Sequence, residues 1–205
     1  MSAPDVTHAF YTSYVHVDDF AKLRDENVPL FKNFIDVIDK VCLKLERVCL
    51  QTGGKHHGAR LGPVPVPLTE EIPRYEDNGL NFYYTQEDHM FEIQRRRVDA
   101  WSYNVIHTNG IAGFTPHSNG TSEALTVALY FLISRELGGN GLFPGKESFY
   151  DSIDDQSFAP SIADMSVRAA NDRALPERNL QPTATATSSS GTTSGRSWAN
   201  TLALR

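Results

Sequence analysis

The spacing of apolar residues changes period along this chain, and the changes mark its elements. Thr7 to Val17 is dense in Tyr, Phe, Val and Thr, which predicts a strand. Leu30, Phe31, Phe34, Val37, Ile38 and Val41 then recur at intervals of three and four, so a helix is predicted with that face turned to a sheet. Asn27 is placed to cap this helix, with Pro29 in its first turn. Arg47 to Gln51 is the next predicted strand, and Thr52-Gly53-Gly54 ends it. A proline-punctuated loop follows from Pro63 to Pro73 and is expected to cross the surface. A helix over Tyr84 to Arg97 and a strand over Ser102 to His107 come next. Ser122 to Leu137 is predicted as a helix apolar nearly all round, through Leu125, Val127, Leu129, Phe131, Leu132 and Ile133, and therefore packed inside. Strands alternating with helices predict an α/β fold with a mainly parallel sheet and flanking helices, because each parallel return needs a long crossover.

Composition sharpens the boundaries. A chain of 205 residues with 40% hydrophobic and 10% aromatic content has enough apolar surface for a core. Nearly all of the aromatic and β-branched residues precede Ala170, whereas from Asn171 onward Ala, Thr, Ser, Gly and Arg dominate. Residues 1–170 are thus expected to form the domain, and residues 171–205 a disordered or out-of-frame tail.

The net charge of -6 and the absence of a basic cluster argue against nucleic acid as a partner. The one dense basic run, Arg95-Arg96-Arg97, falls at a predicted helix end, where cations suit the dipole. No apolar run of roughly 18 residues occurs, so no membrane span is expected. Cys42 and Cys49 read as buried free thiols of a reducing compartment, which favours a cytoplasmic location. His56, His57, His89, His107 and His117 show no metal-ligand spacing, and they read as polar or packed residues with no metal site. Asn119-Gly120-Thr121 fits a glycosylation sequon but reads as a helix-entry loop, and Asp154-Asp155 and Asp164 receive no chemistry.

One pair of residues does suggest chemistry. A tyrosine hydroxyl, with an ordinary pKa of about 10, ionises at neutral pH only where a nearby cation favours the phenolate. Lys55 lies just beyond a predicted strand and Tyr83 opens a predicted helix. Both are therefore expected at the carboxyl edge of the sheet, where open α/β folds place ligands. Taken alone, such a Tyr and Lys are more often packing and solvation.

The surrounding motifs add weight to the pair. Thr52-Gly53-Gly54-Lys55-His56 followed by Asn81-Phe82-Tyr83-Tyr84-Thr85-Gln86-Glu87-Asp88 resembles the atypical short-chain dehydrogenases typified by plant progesterone 5-beta-reductases and iridoid synthases. The likeness extends through Trp101-Ser102, Ile111-Ala112-Gly113-Phe114, Arg135-Glu136-Leu137 and Phe143-Pro144-Gly145 to Ile162-Ala163-Asp164-Met165. It implies a Rossmann-like fold and NADPH-dependent reduction of an activated C=C or carbonyl compound, a small molecule, in secondary metabolism. It also implies Tyr83 and Lys55 as the catalytic pair that stabilises an enolate oxygen, with Phe82 and Tyr84 as flanking packing residues. Thr52, Gly53, Lys55, Thr108 and Ile111 are implied as cofactor-binding.

The chain departs from the resemblance at several points. Glu87 stands four residues after Tyr83, so the Y-x-x-x-K signature of ordinary short-chain dehydrogenases is absent, an absence that the atypical family shares. His107-Thr108-Asn109 stands where the family has Arg-Pro, and His57 where it has an aromatic residue. No G-x-G-x-x-G turn precedes the motifs, and the expectation is that roughly 70 to 90 residues of a dinucleotide-binding half are missing at the N-terminus. A truncated, non-catalytic remnant, inactive or binding a protein through an open sheet edge, is the alternative reading. The segment Thr185 to Gly195 has allowed codons that, read one base earlier, spell Asn-Gly-Asp-Val-Phe-Val-Trp-Asn-Tyr-Phe-Trp, similar to the family's carboxyl-terminal segment. A frame shift is therefore expected there, in preference to an ordinary Ser/Thr linker.

Overall fold

A computed structural model describes residues 3, 5–97, 100–117, 122–145, 147–150, 156–172 and 178–180. The tail beyond Leu180, the sequon and Asp154-Asp155 lie outside the described residues. The chain divides into two compact units, one of residues 1–108 with 164–182 and the other of residues 109–163 with 183–205.

The first unit is built on a parallel sheet of β1 (His8–Tyr11), β2 (Arg47–Gly53), β3 (Ser102–Thr108) and β6 (Arg178–Leu180), adjacent in that order. His8 pairs with Arg47, Arg47 with Ser102, and Asn104 with Arg178. Side chains of β2 and β3 alternate between two apolar layers. Val48, Leu50 and Val105 join Phe31 and Ile35 of α1 (Phe20–Val41) and Met90 and Ile93 of α2 (Phe82–Arg96) in the main core. Cys49 and Ile106 face the other way, onto Met165 and Ala169 of α5 (Ala159–Asn171). With both faces covered, the central strands are buried at successive positions, polar residues such as Asn104 and His107 included. Cys42 and Cys49 are buried free thiols.

The second unit pairs β4 (Gly110–Ala112) with β5 (Gln156–Phe158) in parallel and carries α3 (Glu123–Glu136) and the single turn α4 (Glu147–Tyr150).

Four expectations are corrected here. The first strand is short, ending at Tyr11, and beyond it Asn27 bonds both backbone groups of Val15: its Oδ1 accepts from the Val15 amide at 2.9 Å and its Nδ2 donates to the Val15 carbonyl at 2.8 Å. A backbone held by a helix side chain cannot ladder with a strand. Asn27 accordingly does not cap α1. Asp19 does, its carboxylate accepting from the Ala21 amide at 2.9 Å, and Pro29 lies inside the helix. The missing amide of Pro29 would have bonded the carbonyl of Asp25, an exposed residue, so water can serve that group. The buried stripe of α1 is Leu23, Asn27, Phe31 and Ile35, while Leu30 and Val37 lie exposed. Finally, α3 has no buried residue among those described: Leu125, Leu129, Leu132 and Ile133 are all exposed. Its all-round apolar pattern predicts burial, but a three-residue strand pair is too small to cover it. Among the described residues, no helix is long and apolar enough to cross a membrane.

Candidate active site

Lys55 and Tyr83 reach the same region by different routes. Lys55 lies in the single 3-10 turn Gly54–His57 that ends β2, and Tyr83 is the second residue of α2. Asn81 joins the two elements. Its Oδ1 accepts from the Tyr83 amide at 3.3 Å as the cap of α2, and its Nδ2 donates to the carbonyls of Lys55 at 2.9 Å and His56 at 3.1 Å. One buried amide thereby fixes the start of α2 against the Lys55 turn. Tyr84 adds a second tie, its hydroxyl donating to the His56 carbonyl and accepting from the Tyr75 amide at 2.9 Å.

The Tyr83 hydroxyl stands over the carboxyl end of β2. A Cβ on Gly53 would lie 3.3 Å from that oxygen and 3.6 Å from the Thr108 carbonyl oxygen. Glycine keeps the space between the tyrosine and the sheet edge clear. Burial, and secondarily Tyr14, raise the Tyr83 pKa well above its ordinary value, so the group is a neutral hydroxyl and a hydrogen-bond donor at physiological pH.

The expected Lys55–Tyr83 pairing takes a different form. The Lys55 ammonium donates to the hydroxyl of Tyr14 and lies 4.7 Å from the centre of that ring. No hydrogen bond joins it to Tyr83. The reason is the loop after β1, which brings Tyr14 to the same place and stacks it on Phe82 with ring centres 6.1 Å apart. Tyr14 was hidden in the sequence as one aromatic residue of a presumed strand. Burial first, and Arg60 second, push the Lys55 pKa down to about 8.

A network below the pair uses residues that the motifs contained without roles. Glu87 is buried, with one oxygen accepting from His56 Nε2 at 2.7 Å and the other from Arg74 at 2.7 Å. Arg74 also bonds Asp88, at 2.6 Å. The residue in the usual lysine position is thus an anchor for the turn that carries Lys55. Of the other implied cofactor residues, Thr52 and Thr108 spend their hydroxyls internally. Thr108 Oγ1 donates to the Thr52 carbonyl at 2.9 Å, and Thr52 Oγ1 donates to the Ile106 carbonyl at 3.2 Å and meets His107 Nδ1 at 2.6 Å. They lock β2 to β3 and leave only backbone and Gly53 at the edge. Ile111 is an exposed residue of β4, in the second unit. Of the remaining predicted polar residues, His89 pairs with Asp36 at 2.8 Å and Asp164 with Arg168 at 2.9 Å.

A parallel sheet with helices on both faces, its strand ends open at the carboxyl edge, is the arrangement of the Rossmann-type folds. This chain belongs to the family of PRISE-like Rossmann-fold domains, which matches residues 2–203. It is 47% identical over 162 residues to the short chain dehydrogenase gsfE of Penicillium aethiopicum, an alignment that covers 79% of this chain and 42% of that protein. It is 35% identical over 175 residues to the (S)-8-oxocitronellyl enol synthase ISY1 of Nepeta racemosa, covering 82% of this chain and 44% of that one. Among solved structures, the Bordetella bronchiseptica enzyme WbmH in complex with NAD+ superposes with a TM-score of 0.60 at 15% identity, over 86% of this chain and 52% of that one, a likeness of fold. The chain spans about two-fifths of the length of the curated relatives it matches.

Proposed function

We propose that this chain carries the reaction centre of an NADPH-dependent reductase that acts on a small molecule with a C=C bond conjugated to a carbonyl. The observation that carries this reading is the Tyr83 hydroxyl, neutral and held beside Gly53 at the carboxyl end of β2. Reduction at the β-carbon of an enone places negative charge on the carbonyl oxygen. A preorganised hydroxyl donor at that oxygen lowers the barrier because it strengthens as the charge grows. Lys55 contributes its charge through Tyr14, whose hydroxyl it polarises. Asn81 and the His56–Glu87–Arg74 network hold both groups still, so little reorganisation is left for the reaction itself.

The residues present fit the nicotinamide end of the cofactor. Gly53 keeps the sheet edge open, and the backbone of Thr52, Gly53 and Thr108 lies at the strand ends where such rings are bound. When bound, the cofactor supplies hydride. The 205 residues contain no G-x-G-x-x-G turn to grip a pyrophosphate, so weak cofactor binding is expected. The test is titration of the full chain with NADPH, with and without a cyclic enone, following nicotinamide fluorescence and absorbance. Saturable weak binding and enone-dependent oxidation are expected. No binding at millimolar cofactor would overturn the reading and leave the non-catalytic alternative.

The shifted lysine gives a pH signature. Lys55 is charged below about pH 8 and neutral above it, so kcat/KM is expected to fall as pH rises through about 8. Arg60 is exposed and holds that pKa down. Arg60→Ala removes a like charge, and the alkaline limb should move to higher pH. A limb that stays in place, or moves down, would remove Lys55 from the profile.

A further inference from the structure

The histidines scattered along the sequence converge in the fold. His56 in the turn after β2, Glu87 in α2 and His107 near the end of β3 each have a ligand atom within 4.8 Å of the other two, and all three residues are buried. The centres of the His56 and His107 rings are only 3.9 Å apart. His57 stands beside them, with its ring centre 5.3 Å from that of His107. The nitrogens left over are informative: His56 Nδ1, His57 Nε2 and His107 Nε2 are all buried without a hydrogen-bond partner. Buried polar atoms are nearly always satisfied, and of these three the His107 Nε2 is the one that an ion held by His56 and Glu87 would meet.

We propose that His56, Glu87 and His107 form a binding site for one divalent transition-metal ion of the zinc type. Two imidazoles and a carboxylate are a donor set suited to Zn2+ and Co2+ and poorly suited to Ca2+ or Mg2+, which prefer oxygen. The protonation states favour binding. With the Thr52 hydroxyl hydrogen on the Ile106 carbonyl, His107 Nδ1 is the donor to Thr52 Oγ1 and the Nε2 lone pair is free for an ion. The Thr52 bond also fixes the ring's orientation, the role that outer partners play around metal-bound histidines. Zinc bonds of about 2.0–2.1 Å put tetrahedral neighbours about 3.3 Å apart. On binding, the proton that His56 Nε2 gives to Glu87 moves to the unpartnered Nδ1, the 2.7 Å between His56 Nε2 and Glu87 Oε1 opens slightly, and His107 closes in by side-chain rotation. Arg74 keeps the second Glu87 oxygen, so the carboxylate is oriented before an ion arrives.

The ion would join three elements at one point: the turn that carries Lys55, the helix that carries Tyr83 and the strand that ends at Thr108. Its role is structural, as a clamp beneath the candidate pair, and it holds whether or not the chain reduces enones.

The test uses the full chain, stripped with a chelator and then titrated with Zn2+ or Co2+. Saturation at one ion per chain is expected, with the intense visible absorption of low-coordinate cobalt and a rise in Tm on loading. His107→Gln should weaken Zn2+ binding by at least roughly tenfold, while His117→Gln, at an exposed position, should leave it unchanged. No uptake by the parent chain, or equal uptake by His107→Gln, would overturn the site. Should His107→Gln fail to fold, X-ray absorption of the zinc-loaded parent decides: imidazole scattering around the ion is expected, and a shell of oxygens alone would overturn it.

Discussion

Tyr83→Phe is expected to lower kcat for enone reduction by about 100- to 1,000-fold while KM changes by no more than a few-fold. The substitution deletes one oxygen and keeps a ring that is buried against Leu23, Val28 and Phe82, so the local packing survives. What disappears is a neutral donor at the sheet edge, in the space that Gly53 leaves clear. A donor that acts on a developing oxyanion contributes in the transition state far more than in the ground state, which is why the loss falls on kcat. Steady-state kinetics at saturating NADPH, with circular dichroism as the folding control, make the measurement. A rate within a few-fold of the parent would mean that another group faces the oxygen, and Tyr14, held by Lys55, would be the next candidate.

Glu87→Ala is expected to cost about 3–5 kcal/mol of stability, whereas Asp88→Ala should cost less than about 1 kcal/mol. The comparison is controlled by the protein itself, since both carboxylates bond the same Arg74 guanidinium at similar distances, 2.7 Å and 2.6 Å. Burial separates them: the Glu87 side chain is 2% exposed and the Asp88 side chain 64%. Removing Glu87 strands His56 without an acceptor in the interior and frees the turn that carries Lys55. Removing Asp88 leaves Arg74 with its buried partner and with access to water. Urea unfolding of the parent and both variants, with chelator present, reads the difference. Equal losses would show that the buried network is no stronger than the surface pair.

Much of the fold was legible because its elements obey simple periods. The strands at Arg47 and Ser102 appear where the apolar runs place them, and the helix expected over Tyr84 to Arg97 forms two residues earlier, at Phe82. Short-range signals failed where a long-range bond decided the outcome. Asn27 has the composition of a cap, but its amide is drawn to Val15, and the helix begins a turn and more earlier at Asp19. Helix α3 has the composition of a buried element, yet the short strand pair of its unit leaves it exposed among the described residues. Lys55 and Tyr83 were recognisable by motif, while the partner that Lys55 takes was not.

The sequence by itself determined the class of fold and the family. Alternation, capping and motif spacing are properties of neighbouring residues, and one chain displays them directly. Only the tertiary structure decided which groups share a hydrogen bond or a cavity. Parallel pairing aligns Thr52 with His107 and Gly53 with Thr108, and the 3-10 turn swings His56 onto Glu87. Those meetings depend on register and on the path of the long loop between Gly58 and Leu80, which no local period encodes. The buried histidine cluster, the rerouted lysine and the raised pKa of Tyr83 all arise at that level, because each requires groups distant in the chain to exclude water together.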